Sequence, residues 1–410
     1  MSAPFFGWRV VWAAFAVAVL AWGVGFYGPS VFLHVLHEGR GWSVSTISAA
    51  ITAHFLLSAG IVARLPALHR RFGLVAATRA GGLLAGLGVL AWALAPAPWL
   101  LFPAALLSGA GWALTSGAAI NAMVAPWFDR KRPAALSMAF NGASVGGVLF
   151  APLWALLIGA LGFAGAALLT GATMAAAIWW IAGAFLRATP AGLGQRPDGG
   201  AFSAVGGAAV PIEVPPMPGA AWRDRRFRTL AGAFALGLFA QIGLIAHLFS
   251  LLAPALGEFG AGAAVSLATA CAVLGRSLLG WLLPAGADRR LAAALNFAVQ
   301  IAGSAVLLVA GGTSVPLLLL GCVLFGLGIG NLVSLPPLIA QREFQPAEVG
   351  RVVALVTAVN QAVFAFAPAL LGLLRDMSGW AGAPILLALL VQVAAAVVVL
   401  AGRDGRESAT

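Results

Sequence analysis

The chain has 410 residues, of which 61% are hydrophobic and only 9% charged, against about 25% charged in soluble globular domains. Its polar groups cannot cover its apolar surface, which excludes a soluble enzyme with a single anchor, a coiled coil and a disordered chain, and makes lipid part of the solvent. The net charge of +11 would suggest nucleic acid in a soluble protein; here it follows from where the basic residues lie, and no nucleic-acid partner is expected. Cys271 and Cys322 both sit in apolar runs, read as small core side chains and exclude a disulfide scaffold.

In chain order, twelve apolar segments are long enough to cross a bilayer: 8–36, 44–68, 74–95, 99–124, 134–158, 162–185, 227–252, 263–283, 290–311, 315–339, 350–374 and 381–401. They read as helices, because barrel strands would be about half as long and would alternate in polarity. The first is too long for a signal h-region and lacks a cleavage site, so it counts as helix 1. The 52 glycines suit transmembrane helices that pack through small residues.

Basic residues divide the loops into two sets. Arg9, Arg70, Arg71, Arg130, Lys131, Arg132, Arg187, Arg196, Arg223, Arg225, Arg226, Arg228, Arg289, Arg290, Arg342, Arg403 and Arg406 fall on one side, and Arg40 and Arg375 on the other. Arg64, Arg79 and Arg351 lie close enough to the first side to snorkel to it. The asymmetry predicts a multi-pass protein with both termini in the cytoplasm. Arg276 fits neither side.

The Gly-, Pro- and Arg-rich stretch 187–226 predicts a cytoplasmic linker. It divides the chain into six-helix bundles over 1–186 and 227–402, followed by a tail over 403–410. The halves resemble each other at an offset of 216 to 217 residues: Gly109-Ala110-Gly111 recurs as Gly326-Leu327-Gly328, Ala151-Pro152 as Ala367-Pro368, and Gly162-Phe163-Ala164-Gly165-Ala166 as Gly379-Trp380-Ala381-Gly382-Ala383. The expected fold class is an all-α membrane protein of twelve transmembrane helices in two six-helix pseudo-repeats.

That organisation resembles the major facilitator superfamily over the whole chain. The resemblance implies a substrate site near the midplane and alternating access by rocking of the repeats. The superfamily's signature after helix 2, Gly-x-Leu-x-Asp-Arg-x-Gly, is matched by Leu68, Arg71 and Gly73, with Pro66 replacing its Gly and Arg70 its Asp; the second-half equivalent, Gly280-Trp281-Leu282-Leu283-Pro284, is degenerate. A narrower resemblance is to the bacterial monocarboxylate and oxalate:formate transporter group. It is carried by Gly7-Trp8-Arg9, by Gly41-Trp42-Ser43, and by Trp127-Phe128-Asp129-Arg130-Lys131-Arg132-Pro133 running into Asn141-Gly142-Ala143-Ser144-Val145-Gly146-Gly147. In helix 8, Gly275-Arg276 is similar to that group's intramembrane Arg, which the resemblance implies binds a substrate carboxylate. Ala272 replaces the acidic residue that animal members carry four positions earlier, the helix 1 Lys of those members falls near Pro29, and helix 11 lacks the Lys of the oxalate exchanger. One cationic site favours a monoanion over a dicarboxylate.

Burying Arg276 in a span costs at least about 2.5–3.5 kcal/mol, so a functional reason is weighed against snorkelling. His54, near the middle of helix 2, and His247, towards the outer end of helix 7, are the proton-coupling candidates because imidazole titrates near neutral pH; for His247 a neutral, hydrogen-bonded ring is the simpler reading. Tyr27, the only tyrosine, offers a hydroxyl to a carboxylate. Asn141, Asn331 and Asn360 complete the substrate-binding candidates, with interhelical hydrogen bonding as the alternative for each.

The twelve Asp and Glu fall in loops or at helix ends, so paired-carboxylate catalysis inside the bundle is unavailable. There is no metal-spaced Cys/His cluster and no phosphate loop. The chain is therefore not expected to be an enzyme or to hold a metal or other cofactor. The function expected is a secondary carrier of a small organic monoanion, a monocarboxylate first, working as a monomer in the inner membrane of a bacterium, with or without proton symport. An efflux carrier for amphipathic or neutral compounds is the alternative, and a transporter-like receptor without flux is a third reading.

Overall fold

The computed structural model describes residues 5–199, 221–283 and 287–403. Most of the expected linker, the tail beyond 403 and Pro284 of the second-half signature lie outside the described residues. Helices dominate those that are described, and no strand occurs among them.

The spans are α1 Gly7–Arg40, α2 Val44–Phe72, α3 Leu74–Leu94, α4 Pro98–Trp127, α5 and α6 as the two limbs of Ala134–Phe185, α7 and α8 as the two limbs of Arg225–Leu279, α9 Arg289–Val309, α10 Val315–Glu343, α11 Glu348–Ser378 and α12 Ala383–Ala401. The paired limbs meet at Gly162 (φ 68°, ψ 168°) and Gly257 (φ 70°, ψ 170°). A side chain at either backbone angle would be strained, so glycine lets the chain reverse there without an intervening loop. Twelve spans result, as the sequence predicts, with most ends a few residues longer than hydropathy alone suggests.

Contacts group the chain into two compact units, Met1–Trp42 with Ala53–Pro211 and Ser43–Thr52 with Ile212–Thr410. In the first, α1 packs on α5 so closely that a side chain at Gly142 would meet the Phe15 carbonyl and one at Gly146 the Val19 carbonyl; α3 and α6 approach equally at Gly86 and Gly171. In the second, an apolar core joins Phe227, Leu230 and Phe234 of α7 to Phe297 of α9, Leu332 and Leu335 of α10, and Val399 of α12. The start of α2 clusters with the second unit through hydrogen bonds from the Ser45 amide to Asp376 Oδ2 (2.7 Å) and from the Ala369 amide to Thr52 Oγ1 (3.1 Å).

Small residues fill these crossings while Leu87, Leu94, Leu168, Leu274, Leu295 and Leu390 stand exposed. In water such a surface would drive aggregation; in a bilayer it is the solvated face.

At the Arg-rich end of the second unit, Arg290 is buried and grips Glu343 with two parallel bonds, Nε to Oε1 (2.6 Å) and Nη2 to Oε2 (2.8 Å). Its remaining donors reach Thr229 Oγ1 (3.0 Å) and the carbonyls of Val399 (3.2 Å) and Arg226 (2.8 Å). Sequence reading takes Arg290 as a loop anchor only; the structure makes it a clamp on α7, α9, α10 and α12.

Candidate functional site

The polar interior is divided between the two units. In the first, α1 contains a π-helical turn over Trp22–Tyr27. Pro29 accounts for it: it has no N–H, and in a regular α-helix its ring would clash with the Gly25 carbonyl four residues back, so it cannot continue a regular α ladder. The widened turn leaves the Gly23 carbonyl to accept Trp154 Nε1 at 3.2 Å. π turns recur at functional sites, and Gly23, Gly25, Gly28 and Pro29 together were the sequence signal for this one.

Tyr27 ends that turn and is buried. Around it lies an aromatic cluster: Phe26 is 5.0 Å from Tyr27, 6.0 Å from Trp112 in a stacked arrangement and 6.2 Å from Phe55, and Trp22 meets Trp112 edge-on at 4.8 Å. His54 is buried beside it, its ring 5.0 Å from Phe55. Its Nδ1 is 2.9 Å from Ser108 Oγ. That hydroxyl donates to the Ala105 carbonyl (3.2 Å) and accepts from Trp92 Nε1 (3.1 Å). The arrangement is complete when His54 donates from Nδ1, leaving Nε2 as an acceptor without a hydrogen-bond partner among the described residues. Asn141 is half-buried on α5, next to Phe140, whose ring is 6.2 Å from Trp22. The first unit therefore gathers Tyr27 and His54 into one aromatic neighbourhood, and Asn141 is the residue that follows Phe140 on α5.

In the second unit Arg276 lies six residues before Leu282, where the helical turns that continue α8 beyond Leu279 end, about 9 Å along the axis. α8 crosses α10 on glycines: a side chain at Gly275 would collide with the Leu327 carbonyl, and one at Gly330 would come within 2.5 Å of the Ala272 carbonyl and 3.0 Å of Arg276 Nε. The guanidinium thus lies in space that Gly330 leaves open, and Arg276 Nε donates to the Gly330 carbonyl at 3.3 Å. Asn331 follows, donating from Nδ2 to Asn296 Oδ1 (2.8 Å) and to the Gly275 carbonyl (3.4 Å), while Asn296 donates to the Gly328 carbonyl (3.2 Å). Arg276 and Asn331 are therefore neighbours, and Asn331 holds α8, α9 and α10 together. α10 changes over at Gly330 between helical stretches Val315–Ile329 and Asn331–Glu343, and α4 breaks in its interior at Ser116 (φ −100°, ψ −157°). Ser116 leaves helical geometry, whereas Gly330 keeps helical dihedrals (φ −64°, ψ −26°); discontinuous spans border substrate sites in many carriers.

Asn360 is buried on α11, with Oδ1 unpartnered among the described residues. His247 is fully buried; Nε2 donates to the Pro368 carbonyl (3.1 Å) and lies 3.5 Å from Ser48 Oγ. Gln300 donates to Gln241 Oε1 (2.8 Å) and Ser304 to Gln392 Oε1 (2.9 Å). These pairs escaped sequence reading, since partners 59 and 88 residues apart leave no local signal. No cluster of three or more His, Cys, Asp or Glu able to hold a metal occurs among the described residues.

Residues 25–368 match the family model described as Major Facilitator Superfamily. Among curated proteins, Monocarboxylate transporter 11 of Mus musculus is 30% identical over 293 residues, covering 68% of this chain and 60% of that protein. Monocarboxylate transporter 13 of Bos taurus is 31% identical over 177 residues, 40% of this chain and 39% of that protein. The chain thus matches less than two thirds of the length of these relatives. Among solved structures, a mutant form of the nucleoside transporter NupG aligns with a TM-score of 0.75 at 11% identity, over 96% of this chain and 100% of that one. A bacterial homolog to the human lysosomal transporter Spinster, inward-facing and occupied, gives 0.68 at 13% identity over 98% and 96%. At these identities the likeness shows the fold alone.

Proposed function

We propose that the chain, which belongs to the major facilitator superfamily, is a membrane transporter, not an enzyme, and that it carries a small organic monoanion, a monocarboxylate first, with Arg276 as the carboxylate-binding residue. Arg276 carries this reading: a guanidinium inside a span, seated in the space left by Gly330, beside an Asn that fixes the helix crossing. A planar guanidinium can hold a carboxylate through two parallel hydrogen bonds. The names of the relatives support the same cargo. Loading an anion neutralises a half-buried charge inside a span, so the loaded site moves through the apolar interior at lower cost than the empty one, which couples binding to alternating access. Tyr27, Asn141, Asn331 and Asn360 are proposed to contribute hydrogen bonds to the cargo. His54 is proposed as the group that takes up a proton where transport is proton-coupled, with His247 held by its bond to Pro368 as the second candidate.

The test is uptake of labelled lactate, pyruvate, formate and oxalate into proteoliposomes, with and without a pH gradient. Arg276→Ala, matched to the parent in size-exclusion profile, should lose monoanion flux. Arg276→Lys should retain a weakened flux, because the charge remains and the fork is lost. His54→Gln should keep exchange and lose pH-driven accumulation. Near-normal flux in Arg276→Ala would overturn the carboxylate role and promote efflux of neutral or amphipathic compounds.

The proposed orientation places the Arg-rich end, both termini and the linker in the cytoplasm, in the inner membrane of a bacterium, with the protein acting as a monomer. Ala191 is exposed. An Ala191→Cys protein should resist a membrane-impermeant thiol reagent on intact cells and react with it in inverted vesicles; labelling from outside would reverse the topology.

A further inference from the structure

We propose that the first unit holds one anionic glycerophospholipid at its Arg-rich end, the phosphate bound by Arg79 and Arg187 and the acyl chains lying along the apolar wall between α3 and α6. A cavity of about 740 Å³ opens there, bordered by the start of α1, the α2–α3 turn, the end of α4, the end of α6 and the residues that follow it. All of its walls belong to one unit. Phe72, Leu83, Trp127, Trp179 and Leu186 supply apolar surface, Arg79 and Arg187 supply positive charge, and no Asp or Glu among the described residues lines the space.

The two guanidiniums are placed differently. Arg79 is fixed: its Nε donates to the Trp179 carbonyl at 3.2 Å, its guanidinium stands 4.4 Å from the Trp179 ring centroid, and the absence of a side chain at Gly183 leaves room for Nη2. These contacts use Nε and the π face and leave both Nη groups without an acceptor among the described residues. Arg187 is exposed and makes no hydrogen bond or ion pair among them. Oriented donors with no carboxylate nearby match a phosphate diester.

The surroundings select a lipid over a soluble anion. Arg79 is five residues into α3, about 7–8 Å below its end, a depth at which long basic side chains reach towards headgroups. Phe72, Leu83 and Trp179 are exposed by 56%, 41% and 46%, so the mouth of the cavity is apolar and faces the bilayer. A free phosphate would satisfy the arginines and leave those walls unfilled. A lipid satisfies both, and its contacts tie α3 and α6 to residues 187–190, where the linker begins. The orientation proposed above assigns this end to the cytoplasmic leaflet, where anionic headgroups attract basic pockets. Binding in micelles is independent of sidedness, so failure of the orientation and failure of the site are distinguishable.

Detergent-purified full-length protein is titrated with phosphatidylglycerol, with phosphatidylcholine of the same chains and with glycerol 3-phosphate, and bound lipid is counted by native mass spectrometry. The parent should bind phosphatidylglycerol about fivefold or more tightly than phosphatidylcholine, and glycerol 3-phosphate should neither bind nor compete. Arg79→Gln and Arg187→Gln should each lower phosphatidylglycerol affinity about fivefold, on the order of the 1 kcal/mol expected per basic residue near a charged lipid, without changing phosphatidylcholine binding. Leu83→Trp should weaken both lipids by filling the apolar wall. Arg64→Gln, an exposed Arg outside the cavity, should change nothing. If Arg79→Gln is poorly folded, Arg187→Gln decides, because that side chain bonds to nothing within the described protein. Equal binding of the two lipids, an unaltered affinity in the arginine variants, an equal drop in Arg64→Gln, or competition by glycerol 3-phosphate would each overturn the site.

Discussion

The two six-helix halves share their packing and differ in what they pack around. Left-handed glycines recur at Gly41 and Gly257 and again at Gly162 and Gly379, at the same 216- to 217-residue offset as the sequence matches. Close helix approaches recur as well. Gly88 abuts the Ser108 amide as Gly303 abuts the Phe325 amide, and Gly111 abuts Ala85 as Gly328 abuts Gln300. At these equivalent contacts the polar residue alternates between halves: Ser108 with His54 and Trp92 in the first, and Gln300 with Gln241 in the second. Close approach at glycine is common to both halves, while the side chains around the same crossings differ: an aromatic neighbourhood in one half and an amide-rich interior around Arg276 in the other.

The largest expected effect breaks the asymmetry at the Arg-rich end. Arg290 falls at Val75, each the second residue of its helix, α9 and α3, and the described residues of the first half hold no counterpart of the Arg290–Glu343 clamp; an ion pair there, Arg132–Asp129, is exposed and 3.7 Å long. Arg290→Ala should lower unfolding stability by about 3–5 kcal/mol, because it strands the Glu343 carboxylate in a largely buried place. Arg132→Ala should cost less than about 1 kcal/mol. Pairing Arg290→Met with Glu343→Leu should recover most of the loss. Thermal unfolding in detergent checks all three, and an equal loss in the two single variants would remove the distinction between the halves.

A middle-sized effect tests the symmetry. A side chain at Gly109 would press on the His54 carbonyl and one at Gly326 on the Ala268 carbonyl. Both contacts are with backbone and neither helix can yield by a rotamer change, so Gly109→Ala and Gly326→Ala should each cost about 1–3 kcal/mol. Matching losses would show that the duplicated crossings are energetically equivalent. A neutral substitution in one half would show that this half packs more loosely than its repeat.

Span number and the pseudo-repeat were legible because they rest on local signals: long apolar runs, Gly-containing motifs at a fixed offset, and basic residues gathered in alternate loops. Arg276 was legible as a charge out of place. The clamp was not, because Arg290 and Glu343 each sit at a helix end where a charge needs no explanation, and only the fold shows them 2.6 Å apart with the guanidinium buried. The role of Asn331 was half legible: an amide in a span announces a hydrogen bond, but its choice of Asn296 and the Gly275 carbonyl depends on the α8–α10 crossing. The π turn in α1 had a signal in Pro29 after three glycines, which hydropathy does not register.

The smallest expected effect compares two aspartates that serve the Arg-rich end in the two halves. Asp288 caps α9 through the Arg290 and Leu291 amides and bonds Arg403 Nε at 2.6 Å. Desolvation alone would raise its carboxyl; the Leu291 amide, the Arg403 guanidinium and the Arg290 amide outweigh that and hold it below the ordinary 3.8. Asp198, from the start of the linker, is treated likewise: desolvation pulls it up, and the Arg130, Asp129 and Lys131 amides, with the Lys131 charge, bring it down. A carboxyl held low contributes stability that is complete above its unfolded value and is lost as pH falls through the folded one. Unfolding temperature should therefore fall as pH drops below about 4, and Asp288→Asn should flatten part of that fall while lowering stability at pH 7 by less than about 1 kcal/mol, the range of a partly exposed pair. Asp198→Asn should flatten it less, because the Asp198 carboxylate stands in solvent, where water competes for the same three amides and screens Lys131. If the two variants flatten the acid limb equally, or Asp198→Asn the more, the capped helix of the second half contributes no more to acid stability than the loop of the first.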